Sequence, residues 1–250
     1  MESTGFTALR ALMYKYASEL IDYPYDEDVE KLPSRLREFV ELLKQLERYS
    51  EVFAELAERT EKAANTLLRE LEKLGRDMFQ AEYVATFELG MKGPKCPPYE
   101  SEYVKPEKPS KVFIEPPATL RGNVDQMMLK NLESKMDIIS SVSLFYEKYG
   151  VKAKDMIPDH IVAELEFMHY LATKECEALS RSNVEEAMKL REAQREFLEN
   201  HLARWVGSLA KCVEDKGSLK GYAELLRVIE QMIQKDLKLL KENVRRTKLS

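Results

Sequence analysis

Residue types that build metal centres or disulfide frameworks are scarce in this sequence. It contains three histidines and three cysteines, the latter at Cys96, Cys176 and Cys212. No two cysteines form a C-x-x-C pair, whereas a structural zinc site needs four closely patterned ligands. The composition therefore disfavours a structural metal. Because the cysteines are widely spaced and odd in number, the sequence favours reduced thiols in a reducing compartment.

Long apolar runs and an excess of positive charge are also missing. No uncharged stretch approaches the ~20 apolar residues that cross a bilayer. Arg10, Lys15 and Glu19 interrupt the first helix-like stretch, which excludes the apolar core of a signal peptide there. Lys and Arg number 39 against 44 Asp and Glu, a net charge of −5, so no basic field attracts nucleic acid. The sequence predicts a cytoplasmic protein with no membrane insertion and no nucleic-acid partner.

Helical periodicity is what the sequence has in abundance. Apolar residues recur at three- and four-residue steps from Leu9 to Leu20, and no stretch of useful length shows the two-residue period of a strand. Further helices are predicted near 27–48, 50–74, 77–89, 120–149, 158–179 and 183–216, the one at 183 starting with a capping box at Ser182–Glu185. A last helix follows Gly217, with an apolar stripe from Tyr222 to Leu240. We expect an all-α fold, a single-domain multi-helix bundle over 1–250, with a basic C-terminal tail at about 245–250.

A proline-rich segment interrupts this helical pattern. Seven of the ten prolines fall between Pro94 and Pro117, a density that neither a helix nor a central strand tolerates. We therefore predict a long loop at about 90–117 between two helical portions. Such loops are usually functional or disordered.

The sequence Cys96–Tyr103, CPPYESEY, gives this loop the composition of a binding segment. Pro97 and Pro98 favour an extended backbone, and aromatic residues such as Tyr99 dominate many binding hot spots. The Glu100 carboxylate is suited to pairing with arginine. The alternative, left open by composition, is that the tyrosines pack the loop onto the helices while the glutamates are solvated.

A second cluster lies at the start of the helix predicted from Pro158. Ile161, Leu165 and Met168 share one face and are expected in the core. Asp159 is placed in the first turn, where the helix dipole favours a carboxylate. His160 and Glu164 are four residues apart and could hydrogen-bond to one another.

Signs of catalysis are weak. Glu166 and His169 form an E-x-x-H pair, half of a carboxylate-bridged di-iron site, but no second pair occurs. The chain has neither a phosphate-binding glycine loop nor a G-x-S-x-G elbow. A helical metal-binding enzyme that uses Glu166 and His169 remains an alternative to a binding protein.

Two segments together resemble the TorD/DmsD/NarJ-like family of assembly chaperones. One is the run Glu82–Gly90 followed by Pro94–Tyr103, and the other is Pro158–Ile161 followed by Glu164–Met168. The resemblance covers roughly 8–215, and Phe197, His201, Leu202 and Trp205 also fit the family's C-terminal pattern.

The resemblance implies an all-helical cytoplasmic chaperone without a cofactor of its own. Its partner would be the catalytic subunit of a molybdopterin oxidoreductase, of the DMSO reductase or nitrate reductase type. The chaperone would bind the N-terminal leader of this subunit, often a twin-arginine signal peptide, until the cofactor is inserted. The peptide-binding candidates implied are Phe87, Pro97, Pro98, Tyr99, Glu100, Asp159 and His160, to which the helix spacing adds Glu164. A structural subunit of the oxidoreductase complex is the further alternative.

The chain departs from the family pattern after Tyr103. The link to the helix before Gly150 is longer than expected, with an insertion around 107–131 that could lengthen that helix or cover the groove. A long loop between two helical halves could also act as the hinge of a homodimer, including a domain-swapped one.

Overall fold

A chain of amphipathic helices accounts for most of the structure, a computed structural model that describes residues 3–89, 93–106, 126–154 and 156–248. Over these ranges the α-helices are α1 (Thr4–Ile21), α2 (Asp26–Tyr49), α3 (Leu56–Leu74), α4 (Arg76–Phe87), α5 (Gln126–Lys148), α6 (Ile161–Ser180), α7 (Val184–Asn200), α8 (Leu202–Lys216) and α9 (Lys220–Lys248). The predicted all-α bundle is confirmed. Within the described residues, no helix combines the length and apolarity that a membrane crossing requires.

The helices pack in pairs around one apolar core. The most extensive contacts join α1 to α6, α9 to both α3 and α8, α6 to α7, and α2 to α3. Leu165 and Met168 of α6 are fully buried, as their spacing predicts, and so are Phe197 of α7 and Trp205 of α8. Burial of such side chains contributes about 1.5–3 kcal/mol each, which makes these contacts the main stabilising force.

A buried ionic cluster ties four helices together inside this core. The Arg10 guanidinium donates to both carboxylate oxygens of Asp236 at 2.6 and 2.9 Å and to Glu175 at 3.3 Å. Gln194 accepts a further hydrogen bond from Arg10 at 2.9 Å. The Tyr14 hydroxyl donates to Asp236 at 2.8 Å, and burial, followed by the Asp236 charge, raises the pKa of Tyr14. The cluster explains why charged residues lie on otherwise apolar faces of α1, α6 and α9.

Three predicted helix boundaries are corrected by the structure. The helix predicted from Pro158 begins at Ile161, with His160 as its N-cap. The cap of α7 is Asn183, whose side chain accepts the Glu186 N–H, so the predicted capping box at Ser182–Glu185 is wrong. The backbone of α9 continues to Lys248 through most of the predicted tail at 245–250.

The single long helix predicted from 183 to 216 is in fact two helices. His201 has φ −128° and ψ −99°, which ends α7 and starts α8. Helical periodicity does not reveal this break, because Leu198, Leu202 and Trp205 keep apolar spacing across it.

The proline-rich segment is partly described. Residues 93–106 cross the surface with one 3-10 turn at Glu100–Glu102. Of the predicted loop at 90–117, residues 90–92 and 107–117 lie outside the described residues. The predicted insertion around 107–131 also lies outside them up to residue 125, and its last residues belong to the first turns of α5.

A disulfide joins the described loop to α8, so the expectation of reduced thiols is wrong for two of the three cysteines. It links Cys96 to Cys212, whose Cα atoms are 5.8 Å apart, across a sequence separation of 116. Cys176 is free.

Candidate functional site

The two sequence motifs meet as a short antiparallel pairing of extended backbone. Tyr99 and His160 form an isolated β-bridge. On either side of it, the Ile161 N–H donates to the Pro98 carbonyl at 2.9 Å, and the Glu100 N–H donates to the Asp159 carbonyl at 2.9 Å. Pro98 takes part only as an acceptor, so its missing N–H costs no hydrogen bond in this pairing. We call the two segments, 96–103 and 158–164, the motif junction.

Three carboxylates are fully buried beneath the motif junction. They belong to Glu100, Asp159 and Glu164. Asp159 Oδ2 accepts the Ser101 N–H at 3.0 Å, which fixes the turn that follows Tyr99. Their remaining oxygens, Glu100 Oε1, Asp159 Oδ1 and Glu164 Oε1, have no hydrogen-bond partner within the described part of the chain. Such a cluster stores electrostatic free energy, because buried carboxylates repel one another in a medium of low polarity.

Helix α8 and the break before it supply partners to two of these carboxylates. His201 Nδ1 lies 3.0 Å from Glu100 Oε2. The Trp205 indole N–H donates to Glu164 Oε2 at 3.2 Å. Burial, followed by the Glu100 charge, raises the pKa of Glu164 well above its usual range. The neutral carboxyl of Glu164 is therefore more stable here than it would be in a glutamate exposed to water.

His160 has a structural role at the start of α6. Its Nδ1 accepts the Val162 N–H at 3.2 Å, so that nitrogen carries no proton. Burial lowers the pKa of His160 to about 4, which keeps the ring neutral at physiological pH. The expected side-chain hydrogen bond between His160 and Glu164 is not found among the described residues, since Nδ1 serves as the cap and Glu164 turns to Trp205.

The eight predicted site residues divide by exposure. Phe87, Pro98, Glu100, Asp159 and Glu164 are buried, whereas Pro97, Tyr99 and His160 are half-buried. Phe87 packs against Tyr83 and Tyr222, with ring centroids 4.8 and 5.9 Å apart. The structure thus brings the loop and helix residues together, and it places Phe87 in the core behind them.

The surface beside Tyr99 is acidic. The Tyr99 ring meets the His160 ring edge-on, with centroids 5.1 Å apart. Burial raises the pKa of Tyr99, and the Asp159 and Glu88 charges add to this effect. Burial raises the pKa of Glu88 too, and the neighbouring Asp22 carboxylate adds to it. We call Asp22 and Glu88 the acidic rim; Glu88 is exposed, whereas Asp22 is half-buried, accepts the Tyr23 N–H at 2.8 Å and lies near the Lys15 charge.

The residues that contact the buried side of the motif junction were not predicted from the sequence. The resemblance singled out His201 and Trp205, but nothing in their spacing showed that they contact Glu100 and Glu164. Tyr103 stacks on Trp205 with centroids 5.9 Å apart, which makes it a packing residue of the loop. Packing of the loop onto the helices, the alternative left open by composition, is thus found for Tyr103, but Glu100 is buried and not solvated; the binding role of Tyr99 stays a prediction.

The E-x-x-H pair has other partners. Glu166 lies 3.4 Å from Lys15, and His169 Nδ1 lies 2.9 Å from the Ala11 carbonyl oxygen. In the part of the chain that is described, no three His, Cys, Asp or Glu side chains are grouped so as to hold a metal ion. The hypothesis of a metal-binding enzyme receives no support from these contacts.

Comparison with known families assigns the chain. The sequence profile of the nitrate reductase delta subunit family matches residues 53–211, a range that contains both motifs, His201 and Trp205. The chain belongs to this family. The recognition of a TorD/DmsD/NarJ-like protein is thereby confirmed.

Three proteins named as assembly chaperones are similar in sequence to this chain. The perchlorate reductase assembly chaperone protein of Dechloromonas aromatica (strain RCB) is 26% identical over 162 residues, which is 64% of this chain and 60% of the relative. The chlorate reductase assembly chaperone protein of Ideonella dechloratans is 28% identical over 141 residues, 56% of this chain and 60% of the relative. The selenate reductase assembly chaperone protein of Thauera selenatis is 26% identical over 164 residues, 64% and 69% respectively. The match thus spans about 60% of the length of the first two relatives.

Proposed function

We propose that this protein is a cytoplasmic assembly chaperone, and not an enzyme, that binds the N-terminal leader of an oxidoreductase catalytic subunit. The family membership and the names of the three relatives support the chaperone role. The client is a molybdopterin oxidoreductase, held in its apo form until the cofactor is inserted. The chaperone itself needs no cofactor for this task.

The observation that carries the proposal is the β-bridge between Tyr99 and His160. It merges two distant motifs into one surface, on which Pro97, Tyr99 and His160 are half-buried. An extended or helical leader segment packs its apolar residues on these side chains. Aromatic side chains suit such contacts because they bury a large area at low entropic cost.

The charge of this surface matches a leader that carries two arginines. The acidic rim of Asp22 and Glu88 pairs with the guanidinium groups through charge-assisted hydrogen bonds. Glu100, Asp159 and Glu164 are fully buried, so an arginine reaches them only if the motif junction opens. In the closed junction, Asp159 holds the loop in place through the Ser101 N–H, and its charge adds to the negative field at Tyr99.

Calorimetric titration with leader peptides tests the proposal. A peptide with two arginines and an apolar stretch is compared with one in which both arginines are glutamines. We expect Tyr99→Ser to weaken binding about tenfold, and Glu88→Gln or Asp22→Asn to weaken it ~2–5-fold with a reduced salt dependence. Glu72→Gln, an exposed substitution on α3, is the matched control and leaves binding unchanged. Absence of binding to every client leader, or binding that none of the site variants alters, contradicts the proposal.

A second function is favoured by the exposed apolar side chains of α5. Leu132, Met136 and Leu144 are 55, 46 and 65% exposed. Such a face, together with the subunit named in the family description, suits a permanent structural subunit of the oxidoreductase. Purification of the mature oxidoreductase separates the two functions, since a chaperone is absent from the finished complex. The predicted homodimer is tested separately, by light scattering of this protein purified alone.

A further inference from the structure

The disulfide between Cys96 and Cys212 connects the motif junction to the same helix that contacts its buried carboxylates. Cys96 immediately precedes Pro97, and Cys212 lies on α8, the helix that carries Trp205. The other attachments of the loop here are hydrogen bonds: the Cys96 N–H donates to the Thr86 carbonyl at 2.8 Å, and the Pro98 carbonyl accepts from Ile161. The disulfide is thus the one covalent tie between the described loop and the helices, apart from the chain itself.

The two sulfurs differ in accessibility. Cys96 is fully buried, whereas Cys212 is half-buried. Thiol–disulfide exchange requires direct approach of a thiolate to one sulfur, so the two sulfurs are not equally open to attack. An incoming reductant therefore reaches Cys212 Sγ and expels the Cys96 sulfur.

In the reduced state, the Cys212 thiol has a hydrogen-bond acceptor within reach. The Lys95 carbonyl oxygen lies 3.4 Å from Cys212 Sγ, so the Cys212 S–H can donate a hydrogen bond there. Cys96 returns to an apolar environment, which suits a neutral thiol. Neither product leaves a buried charge, so the protein can exist in both redox states.

We propose that Cys96 and Cys212 form a reversible thiol–disulfide site that takes a dithiol reductant as its co-substrate. The reductant thiolate attacks Cys212 Sγ, the bond between the two protein sulfurs breaks, and the Cys96 thiolate leaves and takes up the proton that the reductant thiol gave up. The second reductant thiol then attacks the mixed disulfide, closes the reductant's own disulfide and releases the Cys212 thiol. Two electrons and two protons pass from the dithiol to the protein. In a reducing compartment such as the proposed cytoplasm, protein disulfides are usually transient and serve catalysis or redox sensing.

The consequence for binding rests on the proposed function. The oxidised form holds the loop at a fixed distance from α8 and keeps Tyr99 paired with His160. Preorganised sites bind more tightly because less conformational entropy is lost on binding. We therefore expect the oxidised protein to bind the leader peptide about 3–10-fold more tightly than the reduced protein.

The first test concerns the site itself and needs no peptide. Protein prepared without reductant is unfolded and alkylated: one modified cysteine, at Cys176, is expected before treatment with dithiothreitol and three after it. We expect reduction to lower the thermal midpoint by roughly 5–15 °C, because the crosslink constrains a long loop in the unfolded chain. Cys96→Ser and Cys212→Ser abolish this difference, while the control Cys176→Ser retains it.

The outcomes separate the inference from the function on which it builds. Three alkylated cysteines before reduction, or identical midpoints of the two redox forms, overturn the thiol–disulfide site. If the serine variants do not fold, reduction and reoxidation of the unmodified protein still give both measurements. A crosslink that forms and breaks as expected, with no peptide bound by either form, supports the site and contradicts the proposed function. Equal affinity of both forms overturns the coupling between the disulfide and binding.

Discussion

His201 Nδ1 lies 3.0 Å from Oε2 of Glu100, which ties the break between α7 and α8 to a loop residue 101 positions earlier. Both groups are buried. His201 is also the residue at which α7 ends and α8 begins. Its contact with Glu100 therefore connects the helix break to the motif junction.

Removal of the histidine isolates a buried carboxylate. We expect His201→Leu to lower the free energy of unfolding by about 2–4 kcal/mol, because Glu100 then lies buried without this partner. The double variant His201→Leu/Glu100→Leu recovers part of the loss, since no unpaired charge remains. Urea unfolding followed by circular dichroism measures both variants. A loss below about 0.5 kcal/mol in the single variant contradicts the structural role of the contact.

Glu164→Gln is expected to stabilise the protein at neutral pH. The raised pKa of Glu164 means that the folded state favours the protonated carboxyl, so its stabilising contribution is complete below the unfolded value of 4.5 and is lost as pH rises. Glutamine keeps an acceptor for the Trp205 N–H and carries no charge. The gain is on the order of 1–3 kcal/mol at pH 7–8 and disappears at pH 4. Thermal midpoints of both proteins across this range test it, and a gain that does not change with pH argues against this explanation.

The N-cap of α6 predicts a second pH dependence of opposite sign. The folded pKa of His160, about 4, lies below the usual 6.5, so the folded state is fully stabilised above pH 6.5 and loses stability as pH falls towards 4. The loss amounts to at most about 3 kcal/mol. His160→Asn supplies a cap that does not titrate and removes this slope, whereas His160→Ala also loses about 1 kcal/mol of capping at every pH. Equal slopes in the native protein and His160→Asn would falsify the assignment.

The buried ionic cluster predicts a large effect from one substitution far from the site. Arg10→Met leaves Asp236 buried without its guanidinium partner, and we expect a loss of about 3–5 kcal/mol. Lys15→Met on the same helix is the matched control, since its ion pair with Glu166 is exposed and contributes less than about 0.5 kcal/mol. Chemical denaturation of the two variants compares them directly. Similar losses in both would show that burial of the cluster does not govern its contribution.

Trp205 provides a fluorescence probe of the motif junction. It is the only tryptophan of the chain, and its ring contacts both Tyr103 and Glu164. Its fluorescence therefore reports on the motif junction, and we expect it to change on reduction in the native protein and in the control variant Cys176→Ser, but not in Cys96→Ser. Unaltered emission on reduction would indicate that the loop keeps its place against α8.

The amino-acid sequence determined the helical architecture and the identity of the two motifs. Apolar spacing fixes which face of a helix is buried, so Leu165 and Met168 could be placed in the core without a structure. Proline density determined that residues 93–106 are not helical, because proline lacks the N–H that a helix requires. The motif residues were sufficient to recognise the family.

Only the tertiary structure decided what the polar residues of the motifs do. Glu100, Asp159 and Glu164 look like surface groups in a sequence rich in glutamate, yet all three are buried. Their partners, among them His201 and Trp205, come from a distant part of the chain, and local spacing contains no information about such contacts. The same reason applies to Cys96 and Cys212, which lie 116 residues apart and become neighbours only when α8 packs beside the loop.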